Sequence, residues 1–217
     1  MDGADFMKLS PSLFAADPLQ LQAAISALEA CIESWHFDVM DGRFAPAHGL
    51  NEVLFLALQR ASTRPIDVHI MAFEPAESAL RFARMGARLV AVHGETLADP
   101  GAVLDAIRDA GALAYLAYTP ETPAEDITRH AEAADGLLLL TAPQGGGAFC
   151  APALDRLRQL PKPLPKLVDG GIGPDHFRLC SEVGVDTAVI GRSLFEHADL
   201  KRRMDLLLLL SSASFKA

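Results

Sequence analysis

Two histidines and two aspartates stand in apolar runs that are far apart in the chain. His36 and Asp38 lie two residues apart in one run, His69 lies in a second, and Asp169 ends a third. In an extended strand alternate side chains share a face, so His36 and Asp38 point the same way. A buried imidazole or carboxylate requires a partner or a metal ion. If the three strand ends converge, the four groups surround one point.

Such a group predicts a site for one divalent metal ion. Imidazole and carboxylate ligands suit zinc, manganese, iron or cobalt better than magnesium or calcium. Residue types alone do not identify the ion, and a metal-free polar network is the alternative interpretation. The spacing of these residues along the chain is less diagnostic than a local motif such as H-E-x-x-H.

Asp38 and Asp169 also suit acid–base chemistry. If they lie on opposite sides of one site, one carboxylate can take a proton from a carbon acid and the other can return a proton to the opposite face. That sequence inverts a stereocentre. A carbon next to a carbonyl is a weak acid, so a metal ion would be needed to stabilise the resulting charge.

Glycine-rich segments follow the later predicted strands and suggest a phosphate site. Backbone N–H groups and a helix N-terminus commonly bind phosphate after the last two strands of a barrel, and Arg192 would add positive charge. The loop with Gly145-Gly146-Gly147, after strand six, could close over a ligand or serve as a linker. Met40 and Met71 could form an apolar floor beneath a substrate. In chain order the segments and methionines are Met40, Met71, Gly145-Gly146-Gly147, Gly170-Gly171 and Gly191-Arg192-Ser193.

The elements that must position these residues alternate regularly between strand and helix. Eight short apolar strands and eight helices are predicted, and continuously apolar strands are typical of parallel sheets covered on both faces. The economical fold is therefore an α/β protein with a single (β/α)8 TIM barrel, and an open doubly wound sheet is the alternative. The predicted strands are Lys8 to Phe14, Trp35 to Met40, Ile66 to Met71, Arg88 to His93, Leu113 to Ala117, Gly136 to Leu140, Leu164 to Asp169 and Thr187 to Ile190.

The predicted helices fill the intervals. They run from Asp17 to Leu28, Asn51 to Arg60, Pro75 to Arg84, Pro100 to Asp109, Pro123 to Ala131, Pro152 to Gln159, Pro174 to Val183 and Leu200 to Leu210. We expect one domain over residues 1–217, with short tails at 1–6 and 211–217. The barrel places His36, Asp38, His69 and Asp169 at the carboxyl ends of strands, where such barrels carry their active sites. No partner is assigned to His93 and Glu95.

The amino-acid composition limits the kinds of partner that this protein can bind. The chain has 217 residues, half of them apolar, with a formal net charge of -9. This acidity disfavours nucleic acid and anionic membrane surfaces, although it permits a local phosphate pocket. Three widely separated cysteines and the absence of a visible targeting or membrane segment favour a cytoplasmic protein. We also expect a homo-oligomer, in which the apolar run Leu206 to Leu210 covers either the barrel or a neighbouring subunit.

Four segments resemble the ribulose-phosphate 3-epimerase family, over nearly all of residues 7–196. They are Pro11-Ser12-Leu13-Phe14-Ala15-Ala16-Asp17, His36-Phe37-Asp38-Val39-Met40-Asp41-Gly42, Asp67-Val68-His69-Ile70-Met71 and Val168-Asp169-Gly170-Gly171-Ile172.

The resemblance implies a metal-dependent isomerase that interconverts D-ribulose 5-phosphate and D-xylulose 5-phosphate, a step of the pentose phosphate pathway, through a cis-enediolate. Asp38 and Asp169 match the family's acid–base pair, and together with His36 and His69 they match its metal ligands. Ser12 and His69 match its contacts to the sugar. The glycines after strands six, seven and eight match its phosphate cradle.

The rim of the predicted site departs from the family pattern. The family's Asn-Pro-Gly-Phe-Gly-Gly-Gln after strand six is replaced by the shorter Ala142-Pro143-Gln144-Gly145-Gly146-Gly147, and Arg192 replaces a small residue. Further differences are Ala45-Pro46-Ala47 and Tyr118-Thr119-Pro120. A paralogue acting on another ketose phosphate, such as D-allulose 6-phosphate, is therefore a second hypothesis.

Two other functional classes fit the residues less well. A non-catalytic sugar-phosphate sensor would have no need for both Asp38 and Asp169. The related decarboxylases place a lysine on the third strand, where this chain has His69. An aldolase would need a Schiff-base lysine, and strand alternation turns Lys166 away from the face that carries Asp169.

Overall fold

Eight short parallel strands form the centre of the molecule. The structure is a computed structural model, and it describes residues 6–160 and 164–214. The strands in these ranges are β1 Lys8–Pro11, β2 Trp35–Met40, β3 Ile66–Met71, β4 Leu89–His93, β5 Leu113–Tyr118, β6 Gly136–Leu140, β7 Lys166–Asp169 and β8 Thr187–Ile190.

The strands form a nearly closed barrel, which confirms the predicted fold. Each strand from β2 to β7 pairs in parallel with the next in sequence, and β8 pairs with β1. The seam between β1 and β2 is closed by a single parallel bridge from Ser12 to His36. Side chains support this seam, since the Ser10 hydroxyl donates to the Ser34 carbonyl oxygen at 3.2 Å and the Ser12 hydroxyl donates to Asp38.

Helices connect the strands and cover the outside of the barrel. In the described ranges the α-helices are α1 Leu21–Leu28, α2 Glu52–Ala61, α3 Ala76–Arg84, α4 Pro100–Asp109, α5 Ala124–Ala131, α6 Phe177–Glu182, α7 Arg192–Phe195 and α8 Leu200–Ser214. Short 3₁₀ helices occupy Leu13–Ala15, Pro18–Gln20, Gly94–Thr96, Ala151–Gln159 and Pro174–His176.

Local sequence explains several of these boundaries. Asn51 accepts a hydrogen bond from the Leu54 N–H at 3.1 Å and so caps α2, while Asp99 caps α4 by accepting from Ala102 at 3.2 Å. Pro100 occupies the first turn of α4, where its missing N–H has no intrahelical partner to lose. Of the described helices, none combines the length and the apolar character that crossing a membrane requires.

The core has two layers, because alternate strand residues point inward and outward. Outward-facing residues such as Phe37 and Val68 pack against the helices. Inside the barrel, a smaller apolar cluster fills the space below the carboxyl ends of the strands. Its members are Leu89, Ala91, Tyr115, Ala117, Leu138 and Leu167.

The chain end differs from the predicted tail at 211–217. Helix α8 continues to Ser214, so residues 211–214 are helical, and the predicted end at Leu210 was wrong. The reason is that Ser211 lies four residues after the buried Leu207 on the same helix face, and its hydroxyl donates to the Met7 carbonyl oxygen at 2.7 Å. Residues 1–5 and 215–217 of the predicted tails lie outside the described residues.

Two connections also differ from the sequence prediction. The helix predicted over Pro152 to Gln159 is a 3₁₀ helix, and a four-residue helix, α7, begins at Arg192 where none was predicted. Helix α7 is too short to produce the apolar periodicity on which helix prediction depends.

The opposite end of the barrel from the predicted site contains an ion pair between a buried carboxylate and a partly exposed guanidinium. Asp67 is fully buried and accepts hydrogen bonds from Arg88 Nε at 2.7 Å and from its terminal Nη2 nitrogen at 2.5 Å. Replacing Arg88 with methionine keeps the aliphatic stem but leaves the carboxylate unpaired. We expect Arg88→Met to lower the free energy of unfolding by about 3 kcal/mol, measured by urea denaturation.

Arg60→Met is the matched control, because Arg60 is exposed and lies on the outer helix α2. Equal unfolding free energies for the two variants would contradict the prediction.

Candidate active site

Strand pairing brings the predicted residues together. In the register of β2 with β3, Asp38 lies opposite His69 and His36 lies opposite Asp67. All of these side chains point into the barrel because they occupy alternate positions. Asp169, the last residue of β7, enters the same interior from the other side of the barrel. The four predicted ligands therefore meet although they come from three strands that are far apart in the sequence.

The four side chains form one compact cluster. One ligand atom from each of His36, Asp38, His69 and Asp169 lies within 4.8 Å of every other. His36 Nε2 is 3.1 Å from Asp38 Oδ1 and 3.3 Å from Asp169 Oδ2. His69 Nδ1 is 3.2 Å from Asp169 Oδ2 and 3.6 Å from Asp38 Oδ1. Each imidazole thus faces both carboxylates.

Attraction between the two imidazoles and the two carboxylates shifts the pKa values of all four groups. Burial opposes the charged form of His36, but the negative charges of Asp38 and Asp169 raise its pKa well above the ordinary value. Burial likewise opposes a charged His69, whose pKa is raised by hydrogen bonds to the same carboxylates. Burial would raise the pKa values of Asp38 and Asp169, but the positive charge of His36 holds both values below their usual range.

The donor set fits a divalent cation. Two carboxylates this close repel each other unless positive charge lies between them, and a cation can supply it in place of two protonated imidazoles. Two nitrogen and two oxygen donors match the preferences of zinc and of its neighbours in the first transition series. His36, Asp38, His69 and Asp169 are the residues that would hold such an ion, and the chemistry of the donors does not select one metal.

Two residues to which sequence reasoning gave no partner extend the cluster. His93 is fully buried, and its Nε2 lies 3.0 Å from His69 Nε2. On its other side, His93 Nδ1 lies 3.2 Å from Glu95 Oε2. Burial lowers the pKa of His93 to about 4, and the pKa of Glu95 is lowered to about 2 because its hydrogen bonds, with His93 first among the partners, outweigh its burial. Strand alternation was the available signal, since His93 shares a face with Leu89 and Ala91.

A cavity of about 400 Å³ opens above the cluster. Asp38 and Asp169 line it, and the Ser12 hydroxyl, also at its wall, donates to Asp38 Oδ2 at 2.6 Å. His36 and His69 lie beneath, almost fully buried. The other predicted substrate-binding residues all line the same cavity: Met40, Met71, Gly145, Gly146, Gly147, Gly170, Gly171, Gly191, Arg192 and Ser193.

Close packing explains two of these glycines. Gly170 and Gly171 both have positive φ, and a Cβ at Gly170 would lie 2.7 Å from the Ala142 side chain. A Cβ at Gly171 would lie 2.6 Å from the Phe149 backbone nitrogen. The loops after β6 and β7 can approach this closely only without side chains, and the Thr141 hydroxyl joins them by donating to the Gly170 carbonyl oxygen at 2.7 Å.

Arg192 links two loops at the cavity mouth. Its terminal nitrogen Nη2 donates to the Gly147 carbonyl oxygen at 2.8 Å, which connects the start of α7 to the loop after β6. The neighbouring Ser193 hydroxyl oxygen is inaccessible and has no hydrogen-bond partner within the described parts of the chain. A positive side chain and several glycines therefore surround this part of the cavity.

The electrostatics of the cluster predict a pH dependence for metal-free protein. The raised pKa values of His36 and His69 mean that their charged forms contribute stability that is fully present below the ordinary histidine pKa of about 6.5 and is lost as the pH rises through their folded-state pKa values. After chelator treatment, we expect the free energy of unfolding to fall as the pH rises above about 6.5, by at most about 1.4 kcal/mol per pH unit for each proton. Urea unfolding at a series of pH values measures this.

His36→Gln should weaken this pH dependence, whereas His197→Gln, a change at an exposed position, should leave it intact. A free energy of unfolding that rises with pH over the same range would contradict the assignment.

Comparisons with known proteins agree with this geometry. The sequence matches the Ribulose-phosphate 3 epimerase family over residues 8–195. Similar proteins include ribulose-phosphate 3-epimerase of Chlamydia muridarum, 30% identical with 93% of each chain covered. The protein of the same name from Mycobacterium leprae is 34% identical, with 88% of this chain and 89% of that protein covered.

Among solved structures, KGPDC from Streptococcus mutans superposes with a TM-score of 0.75 at 14% identity, covering 97% of each chain. The tryptophan synthase A-subunit of Pyrococcus furiosus gives a TM-score of 0.69 at 16% identity, covering 96% of this chain and 99% of that one. These two similarities support the barrel fold alone. The named members of the matched family are isomerases that act on carbohydrate phosphates. Because the sequence match covers almost the full length of the chain, the chain belongs to the ribulose-phosphate 3-epimerase family.

Proposed function

We propose that this protein is a divalent-metal-dependent ketose-phosphate 3-epimerase that interconverts D-ribulose 5-phosphate and D-xylulose 5-phosphate. The observation that carries the proposal is that both Asp38 and Asp169 line one cavity together with the glycine loops and Arg192. A sensor that only binds sugar phosphate would not need two ionisable carboxylates aimed at its ligand. The family membership of the chain supports the same reaction class.

The two carboxylates would share the proton transfers. Asp38 is held ionised by its neighbours, and the Ser12 hydroxyl fixes the orientation of its Oδ2. It can therefore accept the proton from C3 of the ketose. Asp169 reaches the cavity from β7, and it would have to carry a proton at the start of the cycle, which it donates to the opposite face of the resulting planar carbon. One carboxyl group is then protonated and the other ionised both before and after the reaction. The roles exchange when the reaction runs in reverse.

The cluster would also manage the charge that forms on the sugar. A divalent cation held by His36, Asp38, His69 and Asp169 supplies positive charge for the developing negative charge on the carbonyl oxygen. Met40 and Met71 form an apolar wall of the cavity, which limits the access of water to the reacting carbon.

The phosphate would bind where the loops after β6, β7 and β8 meet. Glycines leave backbone N–H groups accessible there, and Arg192 offers a guanidinium that suits the oxygens of a phosphate. This arrangement accounts for an acidic protein accepting a dianionic substrate, because positive charge is supplied locally. Cytoplasmic location and a homo-oligomeric state remain predictions from the sequence.

Removing either carboxylate should abolish exchange at C3. In Asp38→Asn and Asp169→Asn the side-chain shape is kept but the proton acceptor is lost, so we expect the rate to fall by about 10²- to 10⁴-fold. Proton NMR of D-ribulose 5-phosphate in deuterated water, with protein loaded with zinc or manganese, measures loss of the C3 proton signal.

Asp175→Asn is the matched control, because Asp175 is an exposed aspartate in the short 3₁₀ helix that follows β7. The proposal fails if the metal-loaded wild type exchanges the C3 proton of neither D-ribulose 5-phosphate nor D-allulose 6-phosphate. Exchange of the second sugar alone would assign the protein to that hexulose phosphate instead.

Arg192→Ala should weaken substrate binding with little effect on the chemical step. A hydrogen bond to a charged group contributes about 1.5–3 kcal/mol, so we expect KM to rise by about 10- to 100-fold while kcat changes much less. Steady-state kinetics with D-ribulose 5-phosphate measure both constants.

Arg202→Ala, at an exposed position of α8, controls for the loss of one positive charge. An unchanged KM in Arg192→Ala would show that the loop glycines alone hold the phosphate.

A further inference from the structure

A buried chain of hydrogen-bonding groups leads away from the metal-binding cluster. It begins at His69 Nε2, passes through both ring nitrogens of His93 and ends at the Glu95 carboxylate, with distances of 3.0 Å and 3.2 Å. Both imidazoles are fully buried, and the Phe44 ring covers His93 at 4.5 Å between ring centres. Water is therefore a poor substitute for any partner in this chain.

An ionised Glu95 has no hydrogen to donate, so both of its oxygens can only accept hydrogen bonds. Each oxygen faces a donor. Oε1 accepts the Thr119 backbone N–H at 2.7 Å and the Thr122 hydroxyl at 2.5 Å. Oε2 is left facing His93 Nδ1. The hydrogen at this end of the chain must consequently lie on His93 Nδ1.

The remaining hydrogens follow by counting. A neutral imidazole has one N–H, so His93 with its hydrogen on Nδ1 presents a lone pair at Nε2. His69 Nε2 must then carry the hydrogen that lies between the two rings. The single hydrogen of a neutral His69 is thereby used, and its Nδ1 presents a lone pair towards Asp38 and Asp169.

We propose that Glu95 is a positioning residue, which acts through His93 to hold His69 in the tautomer whose Nδ1 can bind a divalent cation. The inference rests on the proposed function, because it assumes that the cluster holds a metal ion. It adds a determinant of metal affinity two side chains away from the ion. Metal-bound histidines commonly donate their second N–H to a carboxylate, and here His93 lies between the two groups.

His36 provides an internal contrast. Its Nε2 faces the two carboxylates, whereas its Nδ1 is buried without a hydrogen-bond partner in the described part of the chain. The tautomer of His36 is therefore set only from the side of the cluster. Of the two histidines, His69 alone has its outer nitrogen tied through a buried partner to a carboxylate.

The isosteric substitution Glu95→Gln should reverse the whole chain. The Thr119 backbone N–H can only donate, so the amide oxygen of the new side chain must stay opposite it. The amide NH₂ group then points at His93 Nδ1, which has to accept. Its hydrogen moves to Nε2, His69 Nε2 becomes an acceptor, and the His69 hydrogen is placed on Nδ1 where the cation would bind.

The test combines zinc affinity with histidine NMR on the full chain. In zinc-loaded wild type labelled with ¹⁵N-histidine, we expect His93 to carry its hydrogen on Nδ1 and His69 on Nε2. In Glu95→Gln, we expect the zinc dissociation constant to rise by at least about 10-fold. Before zinc is added, and at a pH high enough for His69 to be neutral, His93 in this variant should carry its hydrogen on Nε2, while the signals of His36 stay unchanged.

Glu121→Gln is the matched control, since it makes the same chemical change at an exposed position in the loop after β5 and should leave both readouts unchanged. A wild-type spectrum with the His93 hydrogen on Nε2 overturns the proposal, and this measurement decides the matter even if Glu95→Gln does not fold. Equal zinc affinity of Glu95→Gln and wild type overturns it as well. Normal tautomers and zinc binding without any C3 exchange would uphold the role of Glu95 and reject the epimerase function.

Discussion

The interaction on which this molecule depends is the approach of two carboxylates inside an apolar barrel. Asp38 and Asp169 reach one point from opposite walls, and their repulsion in a region of low dielectric constant must be offset by positive charge. In the absence of an ion, the raised pKa values of His36 and His69 favour their positively charged forms, and a divalent cation would supply the positive charge in their place. Acid–base chemistry, metal affinity and pH response thus share one electrostatic origin.

The surrounding architecture serves this convergence. Parallel pairing brings Asp38 level with His69, and an apolar cluster that includes Tyr115 fills the inside of the barrel below them. Above the cluster, glycines let the loops after β6 and β7 pack backbone against backbone. The result is a site with buried side chains below and an open rim above, where the loops after β6, β7 and β8 meet.

Much of this could be predicted from the sequence, because the strongest signals are local. Apolar strands bounded by proline and glycine indicated the order of elements, and alternation placed His36, Asp38 and His69 on inner faces. The partners of Glu95 could not be predicted, since its contacts to Thr119 and Thr122 depend on how the loop after β5 folds over that after β4. The end of α8 was misplaced for a similar reason, as Ser211 is held by Met7 from the far end of the chain.

The seam between the first two strands has a consequence for how the protein acquires activity. A single backbone bridge joins β1 to β2, and the Ser12 hydroxyl that strengthens the join is bonded to the same carboxylate that would take the proton. Closure of the barrel and orientation of the proposed base therefore depend on the same hydroxyl group. A chain whose first strand is unpaired would lack the hydrogen bond that orients Asp38.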